Sequence, residues 1–381
     1  MTLEEFLCLH LIDLGALVEG AQAVASIGED DVLLAVGSLA EGLGTTKSDV
    51  DLILITPREE LARVSPDEVV SWVSGTCIID MRILPRTQVV SIIDRIESWS
   101  RSAWNVTRAA DFTANELLLL HRLYAGTLLW PRDAEADHVS SSRPACANIA
   151  RLKLHVARHM ARTIQVDMVG YRDAGDHRSM VFAAQELLGH AVDGFLAGFH
   201  LTNPTPKWRS RLLERLPVDW GERLMLRPTG LSASELVWQL HRAPAAPTKK
   251  LALDHACRIA TFARSAFTWA ECELIGGAET KFDRYKWPAS VRRGGTPLPN
   301  LELDVDFCLM EDGVAVARLN ELGASLKLSF AEFAMMLLFD NTTTSHEAAI
   351  VGDSVNGVGF GLRTVERMAD QVEQSGFVIA R

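Results

Sequence analysis

Nowhere does the sequence sustain an apolar run of the roughly 18 residues that a membrane-spanning helix needs, so no membrane partner is expected. Its six cysteines (Cys8, Cys77, Cys146, Cys257, Cys272 and Cys308) include no Cys-x-x-Cys pair. That pattern argues against a zinc site and a disulfide framework and suits reduced thiols in the cytoplasm. The first 15 residues carry Glu4 and Glu5 in place of a basic segment, so no signal peptide is expected. There is no surplus of positive charge either. The net charge of −11 lacks the dominant basic field of a large nucleic-acid footprint and argues against a nucleic-acid partner, leaving room only for a local basic groove. No internal repeat or low-complexity tract occurs. What remains is a 381-residue chain, 48% hydrophobic, long enough for two or three domains with sizeable cores.

One stretch concentrates the chemistry: Leu34-Ala35-Val36-Gly37-Ser38-Leu39-Ala40-Glu41-Gly42-Leu43-Gly44-Thr45-Thr46-Lys47-Ser48-Asp49-Val50-Asp51-Leu52-Ile53-Leu54-Ile55. An apolar run enters Gly37-Ser38, a glycine-rich loop follows, and a second apolar run opens with two acids one residue apart. If that run is a strand, Asp49 and Asp51 project on the same side. Carboxylates so close repel, and both ionise cheaply only around a cation. A divalent ion is the usual solution, because Mg²⁺ takes one or two carboxylates and completes its shell with water and phosphate oxygens. The Gly37-Ser38 turn offers backbone N–H groups and a hydroxyl suited to those phosphates. A further apolar run, Cys77–Leu84, holds a single acid, Asp80, which is costly there unless paired or bound to metal.

The Gly37-Ser38 turn, the spacer and the Asp49/Asp51 pair, within the fuller strings Gly-Ser-x-Ala-x-Gly-x-Gly-Thr and Ser-Asp-Val-Asp-Leu, resemble the nucleotidyltransferase superfamily of the DNA polymerase β type, its small-molecule and minimal members in particular. The resemblance implies an α+β fold whose catalytic domain is a mixed sheet with helices. It implies that Asp49, Asp51 and Asp80 are catalytic and hold magnesium or manganese, with Asp80 as third ligand or general base. Gly37 and Ser38 would grip the triphosphate, and Lys207, in Pro206-Lys207-Trp208, would sit on the nucleotide phosphates. The substrate would be an NTP, from which an NMP, AMP in the first instance, passes to a hydroxyl or amine of a small-molecule acceptor with release of pyrophosphate. A peptide or protein acceptor, an RNA end, and noncatalytic nucleotide binding are the alternatives. Aminoglycoside-type members often take a base from the helical domain. Glu186 and Asp193 are the candidates for that role, with an ordinary helix-surface acid as the alternative for each.

The remaining pattern gives a catalytic domain over 1–143, a helical domain over 144–275, a linker or arm over 276–300 and a small C-terminal α+β, winged-helix-like module over 301–381. Helical spacing predicts a helix over 3–25 and another over 87–98. Strands are expected at Val32–Val36, Asp49–Ile55 and Cys77–Leu84, and a turn with a short helix from Pro57 to Pro66. Thr113-x-x-Glu116 is a capping-box signature before Leu117–Ala125, and Gly126 stops that helix. Leu123–Trp130 resembles the end of a catalytic domain, and Ser140–Pro144 reads as a linker. Helices follow near 148–169, where Arg151, Lys153, Arg158 and Arg162 form a solvated basic face or line a triphosphate path, and near 178–199. Thr205 and Pro206 start another, Ser232-x-x-Glu235 caps one through Leu240, and one spans about 249–273. Beyond 300, Leu301–Leu309 and Val314–Leu319 alternate around a Glu311-Asp312-Gly313 turn. Helices near 330–339 and 362–375 and a final strand, Phe377–Ala380, complete the chain.

Overall fold

Val32–Val36 is buried at every position, and in the computed structural model it is β1, an inner strand of a five-stranded mixed sheet. The structure describes residues 1–61, 69–101, 111–131, 137–224, 229–275, 295–310, 313–321, 325–353 and 361–379. They fall into two compact units, Met1–Leu152 with Thr202–Trp208, and Lys153–Leu201 with Arg209–Arg381.

In the first unit the short helix α1 (Leu3–Leu9) and α2 (Leu14–Ala25) precede β1, and α3 (Gly37–Ala40) follows it directly. Next come β2 (Val50–Thr56), β3 (Val69–Ser74) and β4 (Cys77–Pro85). The helices α4 (Arg86–Arg101) and α5 (Ala114–Ala125) lead to β5 (Thr127–Trp130) and α6 (Asp137–Ser140). The sheet order is β3-β4-β2-β1-β5. Only the central β2–β4 pair is parallel, and β2 is buried at six of its seven positions, as a strand covered on both faces should be. Leu3, Phe6, Leu17 and Ala21 pack with Leu33, Leu52, Leu54, Ile79 and Met81 in the core beneath the sheet.

The single helix expected over 3–25 is two. Leu11 takes φ +54°, Asp13 restarts the helix by accepting from Gly15 N at 2.8 Å, and the pair is bent by 91°. Leu3, Phe6 and Leu7 of the first half and Leu17, Ala21 and Ala25 of the second are buried, whereas Leu11 and Leu14 at the break are exposed. Among the described residues no single helix is long and apolar enough to cross a membrane. Strand β3 has no counterpart among the expected elements. Its Val-Val-Ser-Trp-Val-Ser alternation is short and half-exposed, and Trp72 is seated on Gly20 of α2, where a Cβ would approach the indole to 2.7 Å. The Thr113 capping box forms in both directions, at 3.1 Å and 2.7 Å. Gly126 ends α5 because the chain passes within 2.9 Å of the Arg122 carbonyl where its Cβ would stand, and it leads into an edge strand at Thr127–Trp130. The Ser140–Pro144 segment is fastened rather than loose, since Arg143 donates to the carbonyls of Leu123, Tyr124 and Gly126 at the end of α5. The expected short helix before Pro66 lies largely outside the described residues.

The helix α7 (Cys146–Asp173) runs into the second unit, which holds α8 (His177–Gly198), α9 (Arg209–Leu213), α10 (Ala233–His241) and α11 (Lys249–Leu274). Thr205 and Pro206 open one turn of 3₁₀ helix, Pro206–Trp208, ahead of α9. The long helices α8 and α11 meet closely where Gly194 faces Phe267 and Gly198 faces Trp269. An antiparallel sheet of β6 (Val305–Met310), β7 (Gly313–Arg318) and β8 (Ser325–Leu328) follows, then α12 (Phe330–Met336), α13 (Ser345–Asp353) and α14 (Leu362–Gln374).

The expected basic face of α7 is not solvated. Lys153 is 2% exposed and donates to the Leu201 carbonyl at 2.8 Å. Arg158 is 6% exposed and pairs with Glu271 and with Asp306, while Arg162 reaches Asp306 at 2.7 Å and Arg151 reaches Ser100 at 3.0 Å. Their partners lie more than 40 residues away in sequence, beyond the reach of a periodicity argument. Of the expected arm 276–300, residues 276–294 lie outside the described residues. Its end is integrated, with Leu298 N bonded to Thr343 O at 2.8 Å and Asn341 N to Leu298 O at 3.0 Å. The strand expected from Leu301 begins only at Val305, and of the final strand expected at Phe377–Ala380, whose last residue lies outside the described residues, one bridge between Leu301 and Val378 is present.

Candidate active site

The site grows from the register of the sheet. Val36 is paired with Asp51 across the antiparallel β1–β2 ladder, Asp51 with Asp80 across the parallel β2–β4 ladder, and Asp80 with Ser71 across β4–β3. Register partners share a face, so Asp51, Asp80 and Ser71 form one row, with Asp49 exposed just ahead of β2. Ser71 Oγ donates to Asp80 Oδ1 at 2.6 Å.

At the end of β1 the chain turns sharply. Gly37 has φ +75°, and a Cβ there would lie 2.3 Å from Asp51 Oδ2. Only glycine satisfies both the left-handed backbone and the close approach. Ser38 is half-buried in α3, and Leu43 N closes the loop on its carbonyl at 2.8 Å.

Two cations act on Asp51. Arg122 Nη2, near the end of α5, is 3.8 Å from Asp51 Oδ1. Lys207 comes from far along the chain but belongs to the same unit, its Nζ 5.0 Å from the centre of the Trp208 ring. Asp51 feels all of them. Burial raises its pKa most strongly, Arg122 opposes that, Asp49 and Asp80 raise it, and Lys207 lowers it. The balance leaves the carboxyl above its ordinary 3.8.

Of the expected site residues, Gly37, Ser38, Asp49, Asp51, Asp80 and Lys207 all lie in the first unit. Glu186 and Asp193 lie in the second, where Asp193 is 8% exposed and accepts from Arg209 with both oxygens, at 3.0 and 2.5 Å. Sequence reasoning missed Arg122 and Ser71. Arg122 sits one turn before the Gly126 stop, a position that a reading of helix ends could have flagged. Ser71 has no signal apart from β3 itself. A cavity of about 680 Å³ lined by Leu213, Pro217, Trp220, Leu231 and Leu236, among others, contains none of these residues.

Among the described residues no three His, Cys, Asp or Glu side chains close into a ready metal cage. The donors nonetheless fit a hard divalent ion. Mg²⁺ needs only one or two carboxylates when substrate phosphates and water supply the rest, and the repulsion that Asp49 and Asp80 exert on Asp51 is what such an ion would relieve. No protein-family model and no curated protein matches this chain.

Proposed function

We propose that the protein is a metal-dependent nucleotidyltransferase that moves an NMP, AMP in the first instance, from an NTP to a hydroxyl or amine of a small-molecule acceptor. The observation that carries this reading is the pairing of Asp51 with Asp80 in parallel register, under a glycine turn pressed onto Asp51. A magnesium or manganese ion held by Asp49 and Asp51 would supply positive charge to the triphosphate and to the leaving group.

The chain's own groups divide the remaining work. Ser38 and the N–H groups at Gly37 offer donors to phosphate oxygens. Arg122 adds positive charge beside Asp51, and Lys207 adds a weaker positive influence on it. Ser71 holds one oxygen of Asp80, which orients the carboxylate toward an acceptor. In the transfer itself the acceptor's lone pair attacks the α-phosphorus and a new O–P or N–P bond forms. The bond from that phosphorus to the α–β bridging oxygen breaks, pyrophosphate leaves with the electron pair, and the acceptor proton passes to Asp80. Asp193 is a poor rival for the base because Arg209 occupies both its oxygens. The net charge of −11 favours a small acceptor over a polyanion.

Incubation of the protein with each α-labelled NTP, Mg²⁺ and a panel of hydroxyl- and amine-bearing small molecules tests the reading. Label should move to an acceptor, and Asp49→Ala and Asp51→Ala should each cut the rate by at least about a hundredfold, the scale of losing one preorganised charge at a transition state. Turnover unaffected in both variants refutes the assignment.

A further inference from the structure

Residues 202–208 return to the first unit after the chain has left it at Leu152. Two buried polar residues seat this segment. Thr202, 3% exposed, meets His121 Nδ1 through its hydroxyl at 2.8 Å, and Asn203, 4% exposed, donates to both oxygens of Glu41 at 2.9 Å. Asn203 Oδ1 in turn accepts from Thr205 N at 2.8 Å, fixing the turn that presents Pro206-Lys207-Trp208. Glu41 itself ends α3, the short helix that begins at Gly37, and its Oε1 lies 3.0 Å from His121 Nε2. One short element therefore touches Asp51 at its start and holds the lysine-bearing segment at its end. His121 backs Glu41 from α5 while its neighbour Arg122 faces Asp51.

We propose that Glu41, acting through Asn203, is a positioning residue that sets where Lys207 stands relative to the carboxylates, so that the glycine turn and the lysine grip the nucleotide phosphates as one unit. This rests on the nucleotidyl-transfer reading for its use, though not for its geometry. The Asn203 amide nitrogen shared between both oxygens of a carboxylate, 2.9 Å from each, is a charge-assisted contact that holds Asn203, and with it the turn bearing Lys207, against Glu41.

The test reverses the pairing. Asn203→Asp sets carboxylate against carboxylate, whereas Glu41→Gln with Asn203→Asp restores it in the opposite sense, because a glutamine can donate to the new aspartate and still present an oxygen to His121. Asn203→Ala removes the donor without adding charge and replaces N203D should that variant fail to fold. Two readouts are taken. In protein whose lysines carry ¹³C-methyl groups, the Lys207 resonance, assigned by its loss in Lys207→Arg, should be displaced from the free-lysine position in the wild type, collapse toward it in N203D, and return in E41Q/N203D. In steady-state kinetics with MgATP, N203D should raise KM about tenfold, the double variant should recover, and N203D should cost nothing further in a Lys207→Ala background. A Lys207 resonance unmoved in folded N203D, or a double variant no better than the single, overturns the proposal. Wild-type protein that neither binds nor turns over nucleotide overturns the nucleotidyl-transfer reading instead, and the lysine resonance still decides the positioning role.

Discussion

Burial opposes a charge on Asp51, and the neighbouring Asp49 and Asp80 oppose it further. Its folded pKa is raised, so the native state binds the proton more tightly than the unfolded chain, and ionisation costs stability. The penalty is absent below the ordinary 3.8, grows as pH climbs through the raised value, and is fully present above it. Asp51→Asn should therefore stabilise the metal-free fold at neutral pH by about 1 kcal/mol while abolishing transfer. Thermal denaturation across a pH series checks this, and the advantage should vanish at low pH, where wild-type Asp51 is itself neutral. Added Mg²⁺ should raise the melting temperature of the wild type and not of the variant. Gly37→Ala meets a φ of +75° and an Asp51 oxygen 2.3 Å from the new Cβ, so it should cost about 2–3 kcal/mol in denaturant titration and impair activity as well. Residues of this kind were legible because type and spacing both constrain them: a Gly-Ser corner and two acids one residue apart admit few arrangements. Arg122 was not, since a cation near a helix end has many solvated explanations and only the fold turns it toward Asp51.

Elements whose ends carry their own chemistry were read well. The Thr113–Glu116 box opens α5 as the signature requires, and α5 is the element that delivers both His121 and Arg122. Thr113→Ala should cost about 1 kcal/mol. Partial burial tends to raise the pKa of Glu116, but the Thr113 N–H, the Arg95 guanidinium at 2.7 Å and the Thr113 hydroxyl together hold it below its ordinary 4.5. The stability it contributes is present above 4.5 and lost as pH falls through the depressed value, so Glu116→Gln should be destabilised most above 4.5, with the gap to the wild type closing in acid. Urea titrations across the acid range measure that gap. Elements defined by partners instead of by ends were lost. Strand β3 reads as a half-polar fragment until β4 and Gly20 are beside it. The break at Leu11–Asp13 hides inside an apolar pattern that continues through it, because both halves face one core.

At the scale of whole units, buried charge ties segments of the second one together that lie far apart in the sequence. Burial works against the charge on Arg158, but Asp306 and Glu271 hold it ionised, its pKa above the usual arginine value. Arg158→Ala would strand Glu271 and leave Asp306 to Arg162 alone, and should destabilise the second unit by about 3 kcal/mol, read as an earlier unfolding transition. The same contacts mean that removing residues 301–381 strips Arg158 of Asp306, Arg172 of Glu302 and α11 of its sheet, so that deletion should unfold the second unit rather than excise a module. Limited proteolysis of the truncated chain would report this. None of these long-range pairings could be read in advance, since each joins segments more than 100 residues apart.

The two visits that the chain pays to its first unit also impose an order on biosynthesis. A ribosome releases the acids early and Lys207 only after the intervening stretch, Lys153–Leu201, has emerged. A nascent chain, or a fragment cut anywhere between the two visits, therefore carries the carboxylates without that lysine, and any work that needs both would be withheld until Lys207 has emerged.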